Sequence, residues 1–234
     1  MKETTPKHNA NTELPNMNET KLKVKAILFD LDGTIVDSRD AYLEAAQTAF
    51  QATGQKPPTC QTALQIPKRL EQNQPIDDLT KTNTKQFLNI YLKTFYAITE
   101  VKTKPIPNIH IALKTLQQKA KLALITMRNV PNAKLTKELQ HFRLAQYFTH
   151  IITAQDTHKP KPSPEALIKA LKAIDIQICD CLTVGDSVAD IKAGKTAGAK
   201  TAAVLSGLYT KQELAKLNPD LILKDATQLP HYIE

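Results

Sequence analysis

The chain is poor in cysteine: Cys60, Cys179 and Cys181 are the only three in 234 residues. An odd, sparse set excludes a disulfide scaffold and fits a reducing compartment. Cys179-Asp180-Cys181 lacks the second half of a zinc spacing and reads as the entry to a strand. There is no apolar segment of signal-peptide type at the N-terminus and no run long enough to span a membrane. The expected location is cytoplasmic, with no membrane partner. No arginine-rich run or aromatic-interleaved basic patch occurs, so a nucleic-acid partner is not expected. Internal repeats and low-complexity tracts are absent too, and nothing marks an oligomeric state.

What is present is a sizeable apolar fraction, 41%, in a length sufficient for one α/β core and a smaller insert. Lys plus Arg is 31 against 23 for Asp plus Glu, a formal charge of +8. Such an excess fits a lysine-rich solvated surface, or attraction to anions such as small phosphate esters.

Residues 1–20 are polar and lack an apolar period, so they read as a disordered arm. Val24 to Phe29 reads as a buried strand. Helical spacing follows over Asp40–Ala52, then over Ala63–Leu70 and Lys85–Ala97, with no strand between Asp40 and Glu100. That stretch is too long for a loop and is expected to form a helical insert. From Pro105 on, helices at 109–118, 132–139, 163–173 and 188–197 alternate with strands at 122–126, 150–153, 182–184, 201–205 and 221–223. Ser163 is expected to cap the third of these helices, with Pro164 in its first position. Thr210-x-x-Glu213 reads as a capping box that opens a last helix. Alternating β and α predicts a parallel, Rossmann-like sheet with helices on both faces and a small helical cap domain inserted after the first strand. The expected division is a core of 21–37 and 105–234, with a cap of 38–104.

The richest stretch is Asp30-Leu31-Asp32-Gly33-Thr34, just past the first strand. Residues two apart in extended chain point the same way, so both carboxylates face one centre. Paired acids there suit a carboxylate nucleophile backed by a carboxylic acid. Further polar residues stand at later strand ends, where open α/β sheets bind ligands. They are Thr126, Asp186, and Lys161 in Lys161-Pro162-Ser163-Pro164-Glu165. Asp30 and Asp186, with a backbone carbonyl, would offer oxygen ligands suited to Mg²⁺. Thr126 would donate its hydroxyl to a phosphoryl oxygen, and Lys161 would supply positive charge. Asp190 sits at the third position of a helix capped by Ser187, and so either caps that helix, serves the site, or does both.

These four ordered motifs, including Gly185-Asp186-Ser187-Val188-Ala189-Asp190, resemble those of the haloacid dehalogenase-like (HAD) superfamily hydrolases with a helical C1-type cap. The resemblance covers about residues 24–208. It implies that Asp30 attacks phosphorus to form an aspartyl-phosphate, while Asp32 protonates the leaving oxygen and then activates water. It also implies Mg²⁺ on Asp30, the carbonyl of Asp32, and Asp186, with Asp190 acting by hydrogen bonding or through a metal-bound water. Lys161 is the phosphate-facing lysine, and Lys159 the fallback. An aspartate at position 32 implies phosphate monoesters as substrates, the layout of phosphoglycolate phosphatases, sugar-phosphate phosphatases and β-phosphoglucomutases. The resemblance thus implies a Mg²⁺-dependent phosphatase for a small phosphorylated metabolite. A phosphosugar mutase is the alternative, followed by a non-catalytic binding protein on the same fold.

The chain departs from that pattern in two places. Met127-Arg128 follows Thr126 where many relatives have Asn. Arg128 either binds an anionic leaving group or points to solvent. In the cap, Ile66-Pro67-Lys68-Arg69 lacks the glycine of relatives. Lys68 and Arg69 either reach the substrate or belong to a solvated face.

Overall fold

The computed structural model describes residues 21–234, so the expected arm 1–20 lies outside the described residues. Strand β1 (Ala26–Phe29) runs through the middle of a six-stranded sheet and is buried throughout. Ile27 and Phe29 enter one apolar cluster and Ala26 and Leu28 another, because alternate side chains face opposite sides of the sheet. Val24 and Lys25 precede the strand rather than belong to it. Beyond β1 the chain folds back on itself at Gly33, whose φ of +81° is left-handed and favours glycine. Leu31 is fully buried under this turn, and its carbonyl accepts from the Ile35 and Val36 amides at 2.9 and 3.0 Å.

A short ribbon follows: β2 (Val36–Asp37) pairs antiparallel with β3 (Lys104–Pro105). Between its strands lie four helices, α1 (Arg39–Ala52), α2 (Cys60–Glu71), α3 (Asp77–Thr80) and α4 (Thr84–Lys102). The Thr59 hydroxyl accepts from the Thr62 amide at 3.1 Å to start α2. Asn83 accepts from the Gln86 amide at 3.0 Å to start α4. On α4, Phe87, Tyr91, Phe95 and Thr99 recur every fourth residue and bury one face. Small residues on α1, Ala41, Ala45, Ala46 and Ala49, let that aromatic face come close, and the helices share an apolar cluster of their own.

The rest alternates: α5 (Ile109–Leu116), β4 (Lys121–Ile125), α6 (Asn132–His141), β5 (His150–Ile152), α7 (Glu165–Ile174), β6 (Cys181–Gly185), α8 (Val188–Ala197), β7 (Lys200–Val204), α9 (Lys211–Ala215) and β8 (Leu221–Leu223). The sheet order is β5-β4-β1-β6-β7-β8, with every pair parallel. Phe29 pairs with Leu124 on one side and Val184 on the other. Thr126 and Asp186 therefore emerge on either side of Asp30, one residue further along their strands. The sheet and its covering helices form the α/β architecture expected from the alternation.

Several boundaries differ from the sequence reading. Thr126 stands just past β4 rather than closing it. Helix α7 starts at Glu165, so Pro164 holds the cap position; Ser163 Oγ still accepts from the Glu165 amide at 3.3 Å. Helix α4 runs on to Lys102, because its aromatic face keeps finding partners through Phe95 and Thr99. Among the described residues, no helix is long and apolar enough to cross a membrane.

Candidate active site

Asp30 and Asp32 flank the buried Leu31, as their spacing predicts, and both line a cavity of about 140 Å³ between the sheet and helices α1, α2 and α4. The floor comes from strand ends and the loops after them: Asp30, Asp32, Thr126, Met127, Arg128, Lys161 and Ser187. The roof comes from the helical insert: Tyr42, Pro67, Leu70, Glu71, Tyr91, Leu92, Phe95 and Tyr96.

Lys161 is only 4% exposed and lies between two carboxylates. Its Nζ donates to Asp30 Oδ1 and to Asp190 Oδ1, each at 2.6 Å, and to the Ile125 carbonyl at 3.2 Å. Burial works against its charge, yet Asp190 and Asp30 outweigh that and hold its pKa above the usual lysine range. Lys159, by contrast, is exposed, and the geometry puts Lys161 in the site. Asp190 closes a capping box: the Ser187 hydroxyl accepts from the Asp190 amide at 3.2 Å, and Asp190 Oδ2 accepts from the Ser187 amide at 3.1 Å and from its hydroxyl at 2.7 Å. One oxygen of Asp190 thus faces Lys161 while the other caps the helix.

Asp186 completes the acidic group. Carboxylate oxygens of Asp30, Asp186 and Asp190 all lie within 4.8 Å of one another. Asp186 Oδ1 accepts from the Thr34 hydroxyl and Oδ2 from the Leu208 amide, each at 3.3 Å. Its carboxylate rests on Gly207, where an added Cβ would lie 1.6 Å from Oδ2. Burial, joined by the Asp30 and Asp190 charges, pushes the Asp186 carboxyl well above the carboxylate range. Asp30 is pushed up to about 7, by burial first, with Lys161 opposing and Asp190 and Asp32 adding to the rise. Buried oxygens so crowded fit a hard divalent cation, which prefers oxygen ligands. Asp190 is held by short bonds from Lys161 and Ser187, whereas Asp186 accepts only two long bonds of 3.3 Å and Asp30 keeps Oδ2 unpaired among the described residues, so the more available donors are on Asp30 and Asp186.

Thr126 is buried, lines the cavity and accepts from the Arg128 amide at 3.1 Å, leaving its hydroxyl proton free for a ligand. Arg128 lines the cavity and overturns the solvent-facing alternative of the sequence reading. It does not point to solvent, being 4% exposed, and its guanidinium is already committed. Nε and one terminal nitrogen donate to the two oxygens of Asp32 at 2.8 and 2.6 Å, and the other donates to Glu138 at 2.6 Å. Such a fork fixes the plane of the Asp32 carboxylate. Ser38 also donates to Asp32, which explains why its side chain does not cap α1.

Lys68 and Arg69 require a correction too. Neither lines the cavity. Lys68 pairs with Glu213 at 2.6 Å and lies over the Tyr209 ring, 4.6 Å from its centroid. Arg69 pairs with Asp78 at 2.5 Å. The reason is helical phase: on α2, Pro67, Leu70 and Glu71 face the cavity, which turns 68 and 69 aside. The sequence reading missed Ser38, Glu71 and Glu138. Ser38 was findable as a polar residue just past the Asp-x-Asp turn; Glu71 and Glu138 had no motif to mark them.

Comparison with known proteins places the chain among its relatives. The family model described as haloacid dehalogenase-like hydrolase matches residues 27–204. A phosphoglycolate phosphatase of Aquifex aeolicus is 31% identical over 210 residues, covering 88% of this chain and 95% of its own. A pyrophosphatase, PpaX, of Anoxybacillus flavithermus is 29% identical over 215 residues, covering 89% and 96%. Among solved structures, a haloacid dehalogenase-like family hydrolase of Streptococcus pneumoniae superposes with a TM-score of 0.76 at 21% identity, covering 90% of this chain and 98% of its own; this likeness bears on the fold alone. With the family model spanning most of its length, the chain belongs to the haloacid dehalogenase-like hydrolase family.

Proposed function

We propose that this chain is a Mg²⁺-dependent phosphatase that hydrolyses a small phosphomonoester through an aspartyl-phosphate on Asp30. The observation that carries the reading is the Lys161 ammonium held between Asp30 and Asp190 at 2.6 Å each, with Asp30, Asp32 and Lys161 on the floor of one small cavity and Asp186 beside Asp30. Lys161 occupies one oxygen of Asp30 and leaves the other to attack phosphorus in line. The lysine charge and the Thr126 hydroxyl take up phosphoryl oxygens as the bond forms. Asp32 is the group that protonates the departing oxygen and then takes a proton from the hydrolytic water. Asp30, Asp186 and the Asp32 carbonyl would hold Mg²⁺, while Asp190 works through Lys161. The cation supplies charge that offsets the repulsion between a carboxylate nucleophile and a phosphate dianion.

In this reading residues 38–104 are the cap, closing over the site, and the β2–β3 ribbon is where the chain enters and leaves it. A cavity of about 140 Å³ supports a small substrate. The relatives named phosphoglycolate phosphatase and pyrophosphatase support phosphoryl chemistry. The test is phosphate release from small phosphomonoesters with Mg²⁺ and with EDTA. Release that needs the metal and disappears in Asp30→Asn is expected. Equal release from that variant would rule out Asp30 as nucleophile.

A further inference from the structure

The roof of the cavity has a composition that the reaction itself does not require. It carries four aromatic rings, Tyr42, Tyr91, Phe95 and Tyr96, and one carboxylate, Glu71. Tyr42 and Phe95 stack with centroids 4.9 Å apart. Tyr91 is 2% exposed, and its hydroxyl has no hydrogen-bond partner among the described residues. Glu71 accepts from the Tyr209 hydroxyl at 3.3 Å and forms no ion pair with a described residue. The cations that line the cavity are Arg128 and Lys161, and both are spent on Asp30, Asp32, Glu138 and Asp190. The basic residues of the roof helix α2, Lys68 and Arg69, are turned away and paired.

A roof of this kind does not match an anionic leaving group. A carboxylate or a second phosphate entering it would meet Glu71 with no free cation to receive it. Burying an unpaired charge is expensive, so the match is with a group that pairs with Glu71. Aromatic faces attract ammonium groups, most strongly when these are stripped of water. The Tyr91 hydroxyl adds an acceptor for an N–H donor.

Building on the phosphatase reading, we propose that the preferred substrate is the phosphate ester of a small amino alcohol, whose ammonium group lies between Glu71 and the cap aromatics. The phosphate meets Asp30 and Lys161 on the floor, and the ammonium meets Glu71 on the roof. Opposite charges at the two ends would orient the ester with its bridging oxygen beside Asp32.

The experiment compares three esters with Mg²⁺ present: ethanolamine phosphate, its neutral isostere propyl phosphate, and phosphoglycolate. The expected kcat/KM ratio of the first to the second is about tenfold or more, the scale of one desolvated cation–π contact plus an ion pair. In Glu71→Gln that ratio should collapse toward one, with the Mg²⁺ concentration for half-maximal rate unmoved. Phosphoglycolate should be the poorest of the three. Hydrolysis of the neutral ester with no preference for the cationic one, or with phosphoglycolate preferred, overturns the inference and leaves the phosphatase reading standing. A large loss of Mg²⁺ affinity in Glu71→Gln assigns Glu71 to the metal and overturns it as well. Absence of release from all three esters overturns the phosphatase reading, and this inference falls with it. The wild-type ratio decides the matter even if the variant folds poorly.

Discussion

Gly207 gives the sharpest perturbation of the acidic group without touching a charged residue. A Cβ added there would lie 1.6 Å from Asp186 Oδ2, 2.2 Å from its Cγ and 2.5 Å from its Cβ. Nonbonded atoms settle at about 3.5–4.0 Å, so the carboxylate of Gly207→Ala must retreat by about 2 Å. The retreat breaks its bonds from the Leu208 amide and the Thr34 hydroxyl, both already long at 3.3 Å. The φ of Gly207 is not left-handed, so alanine adds no backbone strain of that kind. Mg²⁺ demands near-ideal oxygen geometry at about 2.1 Å, and a ligand displaced this far is lost. Mg²⁺ affinity should fall on the order of 100-fold, the upper range for disturbing groups that merely support a ligand. Turnover at saturating substrate should fall at least about 100-fold, as for a catalytic group misplaced by an ångström. The assays are calorimetric titration with Mg²⁺ and phosphate release across a range of Mg²⁺, with a thermal melt to show that the variant folds. Wild-type affinity and turnover in Gly207→Ala would refute Asp186 as a metal ligand held by this close approach.

Other perturbations reach different parts of the site and its surroundings. Arg128→Met leaves Glu138 buried with only the Thr99 hydroxyl as partner, so chemical denaturation should show a loss of about 3–5 kcal/mol. Adding Glu138→Leu should restore part of that loss; no recovery would mean that the cost lies elsewhere. The folded Asp30 carboxyl titrates near 7, above its unfolded value, so the native state binds the extra proton. Metal-free protein should therefore lose stability as pH rises from about 4 to about 7 through this group, and Mg²⁺ should restore it at the upper end, as read by melting temperature. Lys68 and Glu213 form a partly exposed pair, so Lys68→Met should cost at most about 1 kcal/mol. Burial raises the Glu213 pKa, but the Lys68 and Thr210 bonds outweigh it and hold it down to about 2. This pair's contribution is present above the unfolded glutamate range and is lost as pH falls toward 2.

The part of this arrangement that local sequence reveals is the part built on strand ends. Asp30, Thr126 and Asp186 each follow a short apolar run, and the alternation of strand side chains explains why Asp30 and Asp32 share a face while Leu31 is buried. The Ser187–Asp190 and Thr210–Glu213 boxes are legible for a similar reason: capping is a contact between residues three apart. Contacts set by packing are not legible in this way. Glu71 enters the cavity because of the phase of α2, and the same phase turns Lys68 and Arg69 away. Arg128 meets Asp32 across 96 residues of chain, and Thr99 meets Glu138 across 39, pairings that no spacing rule announces. The two-residue strands β2 and β3 are too short to show a period, and α3 is a single turn.

In the proposed reaction Asp30 carries the phosphoryl group during turnover. The most direct measurement is to quench the enzyme in acid during hydrolysis of a phosphomonoester with Mg²⁺ and map any phosphorylated residue by peptide mass. One phosphoryl group is expected on the peptide containing Asp30, absent with EDTA and absent in Asp30→Asn. A phosphoryl group on another residue, or metal-dependent turnover that persists in Asp30→Asn, would contradict it.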